Sequence, residues 1–203
     1  MVRPRFARLP AEQQQAILDA ALDEFAEHGF HDASLNRVIE AAGISKGSMY
    51  YYFDGKEDLY ASVARAGLEQ LFADVGPFPV PTAEDPDGFW ATLADYYLRL
   101  MTNLAASPRL AALLRGWAVS GSALRQAAGE LEQAVLPWMQ QTLAAGQRVG
   151  AIRTDLPPAL LIGVVSGMGQ AMDGWLLAQD AADVDLPDVI GVLTDLLRRV
   201  LAP

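Results

Sequence analysis

Apolar positions recur at helical spacing along most of the chain. From Ala11 to His28, Ile17, Ala21 and Phe25 fall four apart with Leu18 and Leu22 beside them, the stripe of an amphipathic helix. Gly29 follows as its C′ residue, and Phe30 can fold back on the last turn. Ser34 is placed to cap a short second helix carrying Leu35, Val38, Ile39 and Ala42. Gly43-Ile44 makes a tight turn, and Ser45 caps a third helix. Asp54-Gly55-Lys56-Glu57 has the form of a capping box and opens a fourth helix that runs to about residue 74. Residues 76–88 hold Pro77, Pro79, Pro81 and Pro86 and read as a linker or long loop. Helical spacing then resumes over 88–106, 108–119, 121–149, 157–179 and 187–201. No run alternates strictly with β-branched residues, so the pattern predicts an all-α chain without a sheet.

Composition narrows the class. The chain has 203 residues, 52% of them hydrophobic, enough for a core but not for many domains. It lacks cysteine, which removes disulfides, thiol catalysis and cysteine metal sites, and His28 and His31 are its only histidines. No metal or cofactor is expected. The N-terminal stretch has charge and no apolar h-region. The longest uncharged apolar run, Leu156 to Met172, falls short of the roughly 20 residues that span a bilayer. These features predict a cytoplasmic protein with no membrane partner.

Charge raises an objection to nucleic acid. The net charge is −10, and residues 1–60 carry 6 basic against 10 acidic side chains, a sum of −4. Any DNA footprint must therefore be a local cluster on an acidic body. The two lysines, Lys46 and Lys56, both flank one segment, Ser45-Lys-Gly-Ser-Met-Tyr-Tyr-Tyr-Phe53, and Arg3, Arg5 and Arg8 precede the first helix.

That segment carries the chemistry. Successive residues of a helix turn by about 100°, so Tyr50, Tyr51 and Tyr52 cannot all face one core. Met49 and Phe53, four apart, pack inward. Tyr50 sits between that face and solvent, and Tyr51 and Tyr52 point increasingly outward. Helix, glycine turn, helix is a helix-turn-helix arrangement, whose second helix enters the major groove. Gly47 lets backbone approach a phosphate or base. Ser45 and Ser48 supply short hydroxyls and Lys46 a cation. The tyrosines offer rings to thymine methyls and phenols to phosphates. Arg3, Arg5 and Arg8 can form a minor-groove arm or a solvated tail.

The stretch ASLNRVIEAAGISKGSMYYYFDGKEDLY resembles the DNA-binding signature of TetR-family transcriptional regulators, with AAGIS, SKGSMY, YF and KE in register. The resemblance covers about residues 11–60. It implies a three-helix DNA-binding domain, a connecting helix, a variable helical ligand domain and a homodimer. On this basis the domains are 1–54 for DNA binding, 55–75 for the connecting helix and 76–203 for ligand binding and dimerisation. Residues matching DNA-contacting positions are Ser34, Ser45, Lys46, Gly47, Ser48, Tyr50, Tyr51, Tyr52 and Lys56. Ile39 and Asn36-Arg37 depart from the commoner pattern. GQRVGAIRTDLP at 146–157 resembles a recurrent pattern of the family's ligand domains.

The second half holds Trp90, Tyr96, Tyr97, Met101, Trp117, Met139, Met168, Met172 and Trp175. Core is the default role of each, but methionine suits an adaptable site. Trp90, Tyr97, Met101, Trp117, Met139, Met168, Met172 and Trp175 are the candidates for an apolar ligand pocket. Few charges accompany them, which favours a lipophilic or aromatic effector. Gly163 and Gly167 lie in a helix apolar nearly all round, and Val189, Leu193, Leu196 and Val200 add an apolar stripe. Together they predict a dimer seam in which 157–179 and 187–201 of two subunits form a four-helix bundle.

The resulting expectation is a ligand-responsive repressor that binds a pseudo-palindromic double-stranded operator. An enzyme is disfavoured: HExxH, GxSxG and a phosphate-binding glycine loop are missing, and Ser-Gly-Ser at 120–122 has no nearby base. A binding protein without DNA contact finds support only in the acidic total.

Overall fold

The computed structural model describes residues 5–117, 122–179 and 184–203, with the side chains of residues 117, 122–132 and 134 outside the description. All the regular structure described is helical: α1 Ala11–Asp32, α2 Leu35–Ala41, α3 Lys46–Tyr52, α4 Lys56–Val75, α5 Pro86–Ala105, α6 Pro108–Trp117, α7 Ser122–Arg148, α8 Pro158–Ala178 and α9 Leu186–Leu201. The periodicity locates each of them to within about two residues at most ends, the ordinary scatter of helix boundaries. The chain divides into two compact units, Met1–Leu71 with Ser107–Glu130, and Phe72–Ala106 with Leu131–Pro203.

In the first unit, α1 packs against α2 and α6, and its apolar stripe, Ile17, Ala21 and Phe25, is buried. Gly29 interrupts α1 with φ 69° and ψ 176°, an extended positive-φ backbone that favours glycine and differs from the left-handed helical turn of a C′ cap. Phe30 then stacks on Phe25, with Tyr60 of α4 edge-on to both rings. Ser34 makes no side-chain cap. Glu24 of α1 does that work instead, accepting the Ser34 N–H at 2.6 Å and both Nε and Nη2 of Arg37. This gives Arg37 a packing role. The box at Asp54 also differs from the expectation: its N–H donates to Asp58 rather than Glu57, at 3.0 Å. The hydroxyl of that same Tyr60 donates to the Leu113 carbonyl of α6. Asp23 and Arg109 pair at 2.5 Å between α1 and α6.

In the second unit, Phe89, Trp90, Leu143, Ala145, Ala151, Ile152, Leu161 and Leu201 form the core. The GQRVGAIRTDLP segment is a corner of that core. Gly150 turns with φ 72°, Ala151 and Ile152 are buried, and the Arg153 N–H donates to the Leu201 carbonyl at 2.7 Å. The proline-rich segment is anchored rather than loose. Phe78 packs on Phe72, Tyr96 and Trp138, and Trp138 Nε1 donates to the Pro79 carbonyl. Its last proline starts a helix. Pro86 occupies the first turn of α5, where no N–H is needed, and Asp85 caps it through the Gly88 N–H.

Helix α8 outlasts the uncharged run that marked it. At 21 residues it is long and apolar enough to cross a bilayer by length and composition. Asp173 interrupts its apolar run, and the Tyr97 hydroxyl of α5 donates to that carboxylate at 2.6 Å.

Candidate nucleic-acid interface

Helix α3 presents two different faces. Met49 and Phe53 are each 1% exposed and fix it to the unit. Tyr50 and Tyr51 on the opposite side are 49% and 50% exposed. Ser45 caps α3 by accepting the Ser48 N–H at 3.0 Å, and the two hydroxyls lie 2.9 Å apart. Lys46 and Gly47 are exposed at the start of the helix. A methyl group at 47 would meet only the Ser45 hydroxyl, at an ordinary 3.7 Å, so packing inside the unit does not demand glycine there. Gly43 turns the chain between α2 and α3 with φ 63°. Beside α3 a groove of about 310 Å³ opens between the start of α1 and the α2–α3 turn, with Gln13, Ser45, Ser48 and Tyr52 on its walls.

Three side chains lie elsewhere than the spacing suggested. Tyr52 is not the most outward tyrosine. It is half-buried, with its ring edge-on to Phe6 at 6.1 Å. Phe6, 3% exposed, comes from a 3₁₀ turn at Phe6–Arg8 and also packs on Phe53 at 4.9 Å. Lys56 is tied down: its ammonium donates to the His31 and Ala33 carbonyls at 2.8 and 3.0 Å and lies 5.1 Å from the Phe30 ring centre. It closes the broken end of α1, whose last carbonyls lack helical partners. Ser34, relieved of capping, keeps its hydroxyl at the start of α2. Of the arginines before α1, Arg3 lies outside the described residues. Arg5 and Arg8 are exposed, and the Arg5 guanidinium sits over the Tyr51 ring, 4.4 Å from its centre. No spacing rule announces the Phe6 and Arg5 contacts, because residues 5–9 belong to no helical period. His28 lies 3.7 Å from Glu24, and His31 stands edge-on to Phe30.

The apolar candidates of the second unit are dispersed. Trp90 belongs to the core, Met101 and Met172 are buried, and Met139 and Met168 are half-buried. Trp175 is 49% exposed, and Trp117 falls in the first unit, at the end of α6, with its side chain outside the described residues. Tyr97 and Asp173 form the polar point among them. Burial pushes the Asp173 carboxyl above the usual range, against the Tyr97 hydrogen bond, and burial pushes the Tyr97 phenol well up too. Along α8, Gly163 and Gly167 are exposed, and an added methyl would touch nothing within 4 Å. On α9, Leu196 and Val200 are exposed and Val189 and Leu193 half-buried, and Val192, which the stripe omitted, is 69% exposed. Among the described residues no group of three or more acidic or histidine side chains could hold a metal ion.

Comparisons with known proteins point the same way as α3. Residues 17–63 match the model of the bacterial regulatory proteins of the tetR family. The HTH-type transcriptional repressor AcnR of Corynebacterium efficiens is 28% identical over 198 residues, covering 94% of this chain and 95% of that protein. The HTH-type transcriptional regulator RutR of Escherichia coli is 42% identical over 72 residues, 36% of this chain and 34% of that protein. Among solved structures, the transcriptional regulator FadR of Bacillus subtilis, in complex with stearoyl-CoA, superposes with a TM-score of 0.66 at 23% identity, covering 90% of this chain and 96% of that one.

Proposed function

We propose that this chain, which belongs to the TetR family of transcriptional regulators, is a ligand-responsive repressor released from a pseudo-palindromic operator by a lipophilic effector. It is a DNA-binding regulator and not an enzyme. The observation that carries the finer reading is the division of α3. Met49 and Phe53 are buried and hold the helix, while Tyr50, Tyr51, Lys46 and Gly47 face outward on its exposed side. Ser45, Ser48 and Lys46 would meet phosphates and base edges, with Tyr50 and Tyr51 against the groove wall. Ser34 and Tyr52 would contribute from the margins, and Lys56 would act mainly by closing α1 behind α3.

Homodimerisation fits the second unit. Val189, Leu193, Leu196 and Val200 share one face of α9, and the Gly163-x-x-x-Gly167 face of α8 is open to a close backbone. Burying these faces between two subunits would remove the exposed apolar surface. A dimer would set its two α3 helices about 34–36 Å apart, one turn of DNA. An effector would shift that spacing only through its different affinity for the bound and released forms. The buried Met101 and Met172, close in sequence to Tyr97 and Asp173, suit an apolar effector with one polar group, and the fold-similar FadR structure of Bacillus subtilis is a complex with stearoyl-CoA.

The test is an anisotropy titration of duplex DNA from around the protein's own gene at two salt concentrations. Wild type should bind saturably, more weakly in higher salt, and Lys46→Glu should fail to bind while keeping its helical circular dichroism. A folded wild type that selects no sequence from a random duplex pool would refute the repressor reading.

A further inference from the structure

We infer that Arg5 acts together with Tyr51 as a DNA-backbone contact of α3, so that the segment before α1 is part of the recognition surface and not a loose arm. The inference rests on the DNA-binding reading above. It begins with the cations that are available. Between residues 5 and 63 they are Arg5, Arg8, Arg37, Lys46 and Lys56. Arg37 is committed to Glu24, with Nη2 at 2.5 Å, and Lys56 to two backbone carbonyls. Within that stretch the exposed cations that remain to attract phosphate are Lys46, at the start of α3, and Arg5 and Arg8.

Arg5 is held where it would be needed. Phe6, buried on Tyr52 and Phe53, fastens the 3₁₀ turn to the end of α3. The Leu9 N–H closes the turn on the Phe6 carbonyl, and Gln14 of α1 donates to the Leu9 carbonyl at 2.8 Å. The Arg5 guanidinium then rests on the face of an exposed recognition-helix tyrosine. A guanidinium over a ring face is attracted by the ring quadrupole, and its planar fork of five N–H donors suits bidentate binding of a phosphate. A guanidinium so fixed can meet a phosphate through two N–H groups without first being ordered. Lys46 and Arg5 thus place one cation at each end of α3.

Arg5→Ala should lower the slope of log affinity against log salt by about 0.9 for each bound subunit. Extrapolated from 1 M salt, that is about an eightfold loss per subunit at 0.1 M. Arg5→Lys should keep most of the slope, because it keeps the charge. Both variants should retain the wild-type thermal midpoint, since Phe6 and not Arg5 anchors the turn. An Arg5→Ala protein with unchanged affinity and slope would overturn the proposal. So would one with weakened binding at unchanged slope, because Arg5 would then only shape Tyr51. If Arg5→Ala lowers the thermal midpoint, Arg5→Lys decides: a wild-type slope at the wild-type midpoint supports the contact, and a slope reduced as in Arg5→Ala overturns it. A wild type that binds no duplex would remove the DNA-binding reading and this inference together, whereas failure of the Arg5 variants alone leaves that reading in place.

Discussion

Removing the Tyr60 hydroxyl should destabilise the first unit and a methyl at Gly116 should at best leave it unchanged, yet the double variant should be nearly as stable as wild type. Tyr60 is 1% exposed, and its hydroxyl donates to the Leu113 carbonyl of α6. Burial pushes the phenol up to about 12, so it remains a donor throughout the working pH range. Tyr60→Phe forfeits that bond, a net loss of about 1 kcal/mol. Gly116 lies in α6, and a methyl there would sit 2.8 Å from the same hydroxyl oxygen, with the next atom, the ring Cζ, at 3.8 Å. Gly116→Ala gains about 1 kcal/mol of helix preference, but overpacking costs about 1–3 kcal/mol. The single variant is therefore neutral or destabilised by up to about 2 kcal/mol. In the Tyr60→Phe background the close atom is absent and an ordinary contact remains, so the methyl should stabilise by about 1 kcal/mol. The double variant would then be about 1–3 kcal/mol more stable than the sum of the singles. Urea unfolding followed by circular dichroism measures all four proteins. Additivity within about 0.5 kcal/mol would mean that the phenol does not occupy the space facing Gly116, and the packing of α4 on α6 described above would be wrong.

Two carboxylates give opposite pH signatures. The Arg37 hydrogen bonds hold Glu24 below the usual glutamate range despite burial, so the pairing contributes stability that is complete above that range and lost as acid protonates the folded carboxylate. The stability gap between wild type and Glu24→Gln should be widest near neutral pH and close on acidification, and a gap constant with pH would refute the pairing. Asp173 is raised by burial, so the folded state favours its protonated form, and wild-type stability should fall as pH rises from the usual aspartate range through the folded value. Asp173→Asn keeps an oxygen for the Tyr97 hydroxyl and should be more stable than wild type at neutral pH, with no advantage in acid; equal thermal midpoints at both would mean a well-solvated carboxylate.

What the sequence made legible was local. The inward pair of α3 followed from a spacing of four, and both residues are buried. The order of the described helices followed from periodicity, because an all-α chain writes its packing in short-range pattern. What escaped was every partner supplied from a distance. Tyr52 faced outward on a helical wheel because Phe6, in a 3₁₀ turn, lies outside the α-helical periods, and Ser34 looked like a cap because the acceptor that its N–H uses, Glu24, stands on another element. Trp138 drew no notice beside the other tryptophans, since the carbonyl it holds belongs to a proline-rich segment that reads as a tether.

Charge shows the same limit with the greater consequence for function. Sequence weighs each cation equally, so Lys56 and Lys46 looked like equivalent phosphate ligands flanking the tyrosines. The break at Gly29 separates them. It leaves α1 ending in carbonyls that need donors, and Lys56 is the donor that reaches them. Lys56 thus has two of its three donors engaged before any DNA arrives, while Lys46 is exposed and Arg5, which sequence could only class as arm or tail, lies over Tyr51 at the other end of α3. A phosphate contact depends on a cation that is both near and unspent, and only the fold tells which cations the acidic body has already used.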